Sequence, residues 1–224
     1  MPKTRGVRGA ALAMIVAAAW LAVGCGPETA DYSSIWTTPT SPTETSAEED
    51  PEARPVPIAE YLASMGITGE QIPLDELTDL KVTLPRPAGW TKYVNPNFSP
   101  GTEAIAKNNS YPTAMVMVFK LSGNFDVPAA LKHADDDAKL SKNFVQLNYS
   151  DEDFKGFPSA MIEGSYDQPG GRVHTYNRIV IPVTGAPDFR RYLVQFTVTG
   201  MADKAAEQAP EIQQVIDGFD VAVK

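Results

Sequence analysis

Met115-Val116-Met117-Val118-Phe119 is the stretch that decides the fold of this 224-residue chain. Side chains along a strand alternate between two faces, so Met115, Met117 and Phe119 point one way. Ala114, Val116 and Val118 point the other way, and both sets are apolar. A strand apolar on both faces needs cover on both faces, which places it at the centre of a layered α/β fold. The methionines admit two readings, because this flexible, polarisable side chain serves either as core filler or as an adaptable ligand surface.

Working outward, Asp126-Val127-Pro128 offers a capping carboxylate followed by proline in the first turn, a helix start. Apolar spacing carries that helix through Leu131, Ala134 and Ala138. Residues 144–149 follow as a strand. Residues 159–166 and 172–183 are two more, joined by the turn-rich Asp167-Gln168-Pro169-Gly170-Gly171. Residues 192–199 form another strand, with Tyr192, Val194, Phe196 and Val198 on one face. Residues 203–219 close the chain as a helix with Ala205, Ala209, Ile212, Val215, Ile216 and Phe219 in one stripe; Pro210 should kink it or mark a second start. Upstream, residues 58–65 have a short helical pattern stopped by Gly66. Residues 79–84 read as a strand ended by Pro85 and Pro87, and residues 89–93 as an extended run. The expected fold is α/β (α+β), a largely antiparallel sheet covered by helices.

The N-terminus carries a different message. Lys3, Arg5 and Arg8 precede an apolar run from Ala11 to Val23, and no acid interrupts it. A positive head, a short apolar core and a small residue before a cut are the parts of a secretory signal. The run is well short of the roughly 20 residues of a membrane span. It ends in Leu21-Ala22-Val23-Gly24-Cys25, which contains the only cysteine. An unpaired cysteine is out of place in an oxidising space, whereas a lipobox puts one here for thioether lipidation. Residues 1–24 are therefore assigned as a lipoprotein signal peptide. Cys25 becomes the anchor on the outer face of the cell membrane, durable at about 0.8 kcal/mol per buried methylene. Residues 25–56 form an acidic tether: nine of the ten residues 37–46 are Ser, Thr or Pro. Such a segment buries too little to offset its ordering entropy. Tyr32, Ile35 and Trp36 interrupt it, either as interfacial contacts or merely exposed. Residues 57–224 make one globular domain.

Removing residues 1–24 takes away three positive charges and no acid, which brings the net charge from −9 to −12. That excludes nucleic acid as a natural partner, since phosphates demand Lys and Arg. It also leaves lipid, not a basic patch, as the source of membrane attachment. No catalytic constellation is visible. His133 and His174 are the only histidines, G-x-S-x-G is absent, and no Ser stands three residues before a Lys. His133 with Asp135, Asp136 and Asp137 is expected to be a solvated helix face, because successive acids on a helix diverge. No cofactor loop appears and no metal site is assigned.

The domain resembles the LpqN/LpqT family of mycobacterial-type cell-envelope lipoproteins. The residues that carry the resemblance begin with Tyr61-Leu62, Gly66-Ile67-Thr68-Gly69-Glu70, Leu77-Thr78-Asp79-Leu80 and Pro87-x-Gly89-Trp90. They continue with Ile105-Ala106-Lys107, Ser110-Tyr111-Pro112-Thr113-Ala114-Met115, Val118-Phe119-Lys120-Leu121 and Phe157-Pro158-Ser159. Gly164-Ser165-Tyr166, His174-Thr175-x-Asn177-Arg178 and Arg191-Tyr192-Leu193-Val194-Gln195 complete them. The resemblance implies a PsbP-like α/β/α sandwich without catalytic residues. It also implies binding of an envelope lipid or glycolipid and association with an envelope protein such as a lipid exporter. The alternative is a protein-interaction or scaffolding module. In the lipid reading, Met115, Met117, Phe119 and Trp90 line a slot for an acyl chain. His174 and Arg178 then hold a headgroup at its rim, with Tyr176 expected on the opposite face.

Overall fold

The computed structural model describes residues 54–224. The expected signal peptide, Cys25 and the expected tether up to residue 53, with Tyr32, Ile35 and Trp36, lie outside the described residues. The elements run α1 (Ile58–Ser64), β1 (Thr68–Gln71), β2 (Leu80–Thr83), β3 (Trp90–Lys92), β4 (Glu103–Lys107) and β5 (Ser110–Ser122). Then come α2 (Val127–Leu131), α3 (Asp136–Lys139), β6 (Val145–Ser150), β7 (Ser159–Gln168), β8 (Gly171–Val180), β9 (Arg191–Met201), α4 (Ala205–Gly218) and β10 (Asp220–Val223).

The strand containing Met115–Phe119 is β5, and it sits inside an eight-stranded antiparallel sheet of order β3-β4-β5-β9-β8-β7-β6. One edge of β5 is shared: β4 pairs with its first half and β1 with its second, Gln71 standing opposite Phe119. Its other edge pairs with β9 over nine residues, from Thr113 opposite Thr199 to Leu121 opposite Arg191. Eight consecutive residues of β5, Pro112 to Phe119, are buried. The two-faced pattern is satisfied as the sequence demands.

One face carries Ala114, Val116 and Val118 beside Tyr192, Val194, Phe196 and Val198. It is covered by Ile212 and Val215 of α4, by Phe219, and by the small antiparallel pair β2–β10 through Leu80 and Val221. Phe219 stacks on Phe196 with ring centroids 4.1 Å apart. The opposite face carries Met117, Phe119, Leu121, Leu193 and Ile179, covered by Ile58 and Leu62 of α1 and Ala130 of α2. Each such side chain, fully buried, stabilises the fold by about 1.5–3 kcal/mol. The result is helices on both faces of one sheet, an α/β/α sandwich.

Four local expectations change. The helix expected from Val127 through Ala138 is two short helices, because the chain tightens at Lys132–Asp135 into i→i−3 bonds, His133 to Ala130 and Ala134 to Leu131. Its start is as expected: Asp126 Oδ1 accepts from the Ala129 N–H at 3.0 Å. α4 runs through Pro210 without a break. Pro210 faces solvent, where water can take up the carbonyl it leaves free. The buried stripe of α4 includes Gln208, while Ala209 is exposed. The reason is Gly200. A Cβ there would lie 2.7 Å from Gln208 Oε1 and 2.9 Å from Ile212, so the helix approaches β9 only over a bare glycine. Gln208 Oε1 then accepts the Met201 N–H at 2.9 Å. Finally, β8 ends at Val180 and not at Val183, since Pro182 has no N–H for the ladder.

Candidate functional site

The acyl slot expected from Met115, Met117 and Phe119 is closed. Met117 and Phe119 are 1% and 2% exposed and packed under α1 and α2, which leaves no gap for a chain. Met115 faces the same way but belongs to a separate cluster with Tyr93, Ala104 and Ala106. Trp90 is buried on the other face of the sheet, against Ile105 and the α4 core.

His174 and Arg178 are also on the α4 face, so the sheet separates them from the methionines. Tyr176 is with them, not opposite: residues two apart along a strand share a face. Arg178 Nε donates to Tyr176 Oη at 2.8 Å and its Nη1 to Ser159 Oγ at 3.0 Å, with the guanidinium 4.8 Å from the Phe154 ring centroid. His174 Nε2 lies 2.9 Å from Glu163 Oε1. These are local contacts that occupy the side chains, and they form no rim to the expected slot.

The acids near His133 differ from expectation too. Asp135 and Asp136 are 7% and 8% exposed, not solvated. Asp135 Oδ2 lies 2.8 Å and Asp136 Oδ1 3.1 Å from Lys139 Nζ. Asp136 Oδ2 also accepts the Val56 N–H at 3.2 Å, and His133 Nδ1 lies 3.0 Å from the Val56 carbonyl, so this cluster ties down the start of the domain. Burial, then the charges of Glu60 and Asp136, push the Asp137 carboxyl up to about 6. Among the described residues no group of three or more His, Asp or Glu is placed to hold a metal ion.

The concave feature of the α1 face lies further along the sheet, where no helix covers β5 and β9. Three threonines form its floor: Thr113 of β5 and Thr197 and Thr199 of β9, with Met115 beside them. Tyr93, Tyr111, Tyr166 and Phe98 form its walls. Tyr111 Oη donates to Gln168 Oε1 at 2.8 Å, and Gln168 Nε2 donates to Tyr166 Oη at 2.9 Å. This chain fixes the amide orientation and leaves the Tyr166 hydroxyl proton available. Burial, then the neighbouring phenols of Tyr166 and Tyr93, raise the Tyr111 phenol, so it stays neutral. Burial likewise raises Tyr166.

No charged residue lines this cleft. Two polar atoms in one row across the sheet are buried without a partner: Thr197 Oγ1 and, on the strand beside it, Asn177 Oδ1. Buried polar atoms are ordinarily hydrogen-bonded, and an unpaired one marks strain or a missing ligand or water. The enclosed space is about 10 Å³, room for one water. The cleft is therefore a shallow recess that cannot swallow an acyl chain. It can present hydroxyls, an amide and aromatic faces to a neutral polar group laid across its mouth.

Of the six ligand residues expected from the sequence, the cleft contains Met115 alone. Thr113, Thr197, Thr199, Tyr111, Tyr166 and Gln168 were not singled out, although the alternation that marked one face of residues 192–199 also marks Gln195, Thr197 and Thr199 as the other.

Residues 54–222 match the family described as Probable lipoprotein LpqN. The chain is 52% identical to "Putative lipoprotein LpqT" of Mycobacterium tuberculosis over 219 residues, 97% of this chain and 96% of that one. It is 45% identical to the protein of the same name from Mycobacterium leprae, covering 95% of each. The crystal structure of LpqN, a Mycobacterium tuberculosis protein described as involved in cell envelope biogenesis, superposes with a TM-score of 0.63 at 20% identity. That alignment covers 75% of this chain and 98% of LpqN. The chain belongs to the LpqN lipoprotein family.

Proposed function

We propose that this LpqN-family chain is a lipid-anchored, non-enzymatic binding protein of the cell envelope, one that holds the sugar part of an envelope glycolipid across the mouth of the tyrosine–threonine cleft. Cys25 fixes it to the outer face of the membrane. Its work accompanies the building of the envelope, the process named for LpqN. The observation that carries the reading is the buried, unpartnered Thr197 Oγ1 on the floor of an uncharged cleft walled by tyrosines.

Each part of that cleft suits a neutral polyhydroxyl ligand. Sugar C–H faces pack on aromatic rings, and sugar hydroxyls both donate and accept. Threonine and tyrosine hydroxyls and the Gln168 amide answer in kind. A carboxylate or phosphate finds no cation here. The acyl chains of the glycolipid stay outside, along the cleft mouth, because the core beneath Met117 is closed. Catalysis is not part of the proposal: the uncharged lining offers no acid, base or activated nucleophile.

The test is a titration of the domain with a neutral alkyl glycoside and, in parallel, with the matching alkyl phosphate, followed through the tyrosine ring resonances. Saturable shifts of Tyr111 and Tyr166 with the glycoside alone support the assignment. Equal response to the phosphate, or none to either, removes it.

A second reading, a protein-interaction module, is favoured by β6. This edge strand leaves Val145, Leu147 and Tyr149 50%, 60% and 41% exposed. A protein partner, a lipid exporter included, would dock there and not in the cleft.

A further inference from the structure

The connection between β8 and β9 holds one aromatic side chain out in solvent. Phe189 is 64% exposed, and among the described residues no ring or cation packs on it. Its backbone has φ +45°, in the left-handed region that a bulky side chain seldom adopts and that is costly to hold. The base of the loop is firmly braced. Thr184 N–H donates to the Arg190 carbonyl at 2.8 Å, Arg190 N–H to Thr184 Oγ1 at 3.0 Å, and Phe189 N–H to the Gly185 carbonyl at 3.2 Å. The Arg190 guanidinium lies 2.9 Å from Asp188 and 3.3 Å from Asp79. The loop's hydrogen bonds hold the backbone in this conformation, while the Phe189 ring itself is directed outward.

From this geometry we infer that Phe189 is a second membrane contact, inserted into the lipid interface beside the covalent anchor. A protein partner is disfavoured by size. A stable protein interface buries about 1,000 Å² or more, and here Phe189 projects with Val183, 39% exposed, as the one other large apolar side chain exposed in the connection. For a lipid interface one aromatic is enough, provided something else holds the domain close. Residues 25–55 supply that: a stretch of this length can span up to about 100 Å when extended, so the bilayer lies within range of the domain. The tip carries no excess cation, Arg190 being shared by Asp188 and Asp79, so it suits a zwitterionic headgroup layer and not an anionic one. A rigidly placed ring loses little freedom on insertion and buries its apolar surface. The ring also fixes orientation. Phe189 lies beyond the β8–β9 end of the sheet, and the cleft at the opposite end, near the β7–β8 turn at Gln168, then faces away from this membrane.

The inference rests on anchoring at Cys25, and the test supplies the anchor chemically so that the two can fail separately. Residues 25–224 contain one cysteine, Cys25, which couples to a maleimide-bearing lipid in phosphatidylcholine vesicles. Trp36→Phe is introduced throughout, and Phe189→Trp is compared with Phe189. Insertion predicts that the added tryptophan emits to the blue and loses about twofold in intensity when the acyl chains carry bromine near the interface. Phe189→Gly should melt no lower than the parent while losing vesicle contact. That result separates an anchoring role from a folding role. Solvent-like emission, indifferent to brominated lipid in the coupled protein, overturns the inference even if cells do lipidate Cys25.

Discussion

Consider Thr197→Val. Thr197 is 3% exposed, and its Oγ1 has no hydrogen-bond partner, while its methyl and backbone are held in the β9 ladder between Met115 and Asn177. In the unliganded protein no protein group repays the burial of this hydroxyl, a cost of about 1–3 kcal/mol that the one water the cleft has room for offsets only in part. Valine has the same shape and no hydroxyl. The substitution should therefore stabilise the free protein by about 1 kcal/mol, which for a domain of this size raises the melting temperature by about 2–4 °C. If the hydroxyl reaches the sugar through the one water that the cleft has room for, the same change removes one hydrogen bond from the complex. Affinity for the glycoside should fall by about five- to tenfold, the equivalent of about 1–1.4 kcal/mol. Calorimetric melting and glycoside titration of parent and variant measure both halves. Stability up and binding down is the signature of a polar atom kept for a ligand. A variant that melts lower than the parent, with binding unchanged, shows that the hydroxyl serves the fold, and the cleft assignment loses its main support.

Cys25→Ala should move the protein from the membrane fraction to the soluble fraction; retention as tight as the parent's contradicts the lipobox reading. Met117→Trp, in a closed core, should overpack and cost about 1–3 kcal/mol in chemical denaturation, whereas a neutral result would mean the core has room for a chain after all. Asp137 has its carboxyl raised to about 6, so the folded state binds this proton more tightly than the unfolded chain does. The penalty is full above pH 6 and is relieved as the pH falls from about 6 toward 4. Asp137→Asn should stabilise at pH 7.5 by about 1–3 kcal/mol and by much less at pH 4.5. Equal effects at both pH values would show that Asp137 is not the group titrating.

How much of this was legible beforehand depends on what kind of constraint each residue reports. Pattern reports burial, so the two apolar faces of Met115–Phe119 gave the central strand, and the stripe Ile212, Val215 and Phe219 gave the closing helix. The α/β/α layering follows from those two. Pattern does not report which face of a sheet a distant residue shares. Trp90, His174 and Arg178 were grouped with the methionines, but the register of β4 with β5 and of β8 with β9 puts them behind the sheet. That register is tertiary information, set by turns and pairing and not by any one segment. The cleft escaped notice for a related reason. Thr197 and Thr199 look like the solvent side of an amphipathic strand, and only the central position of β9, between β5 and β8, turns them into a buried polar floor. A strand in the middle of a layered fold has no solvent side, so polar residues on it mark a buried polar site as surely as apolar ones mark core. Asp135 and Asp136 mislead in the same way. A run of acids ordinarily marks a wet surface, and here it is buried because Lys139, His133 and the Val56 backbone come to meet it.

The claim at the centre of this account is that the cleft holds the neutral sugar of an envelope lipid. The most direct measurement is native mass spectrometry of the anchored protein extracted gently from its membrane, set beside the same extraction of Tyr111→Phe/Tyr166→Phe. That pair keeps both rings and removes only the hydroxyls that Gln168 links. The account predicts a neutral glycolipid bound to the parent and lost from the variant, with both proteins equally folded and equally membrane-bound. An absence of lipid on the parent, or the same lipid on both, would contradict it.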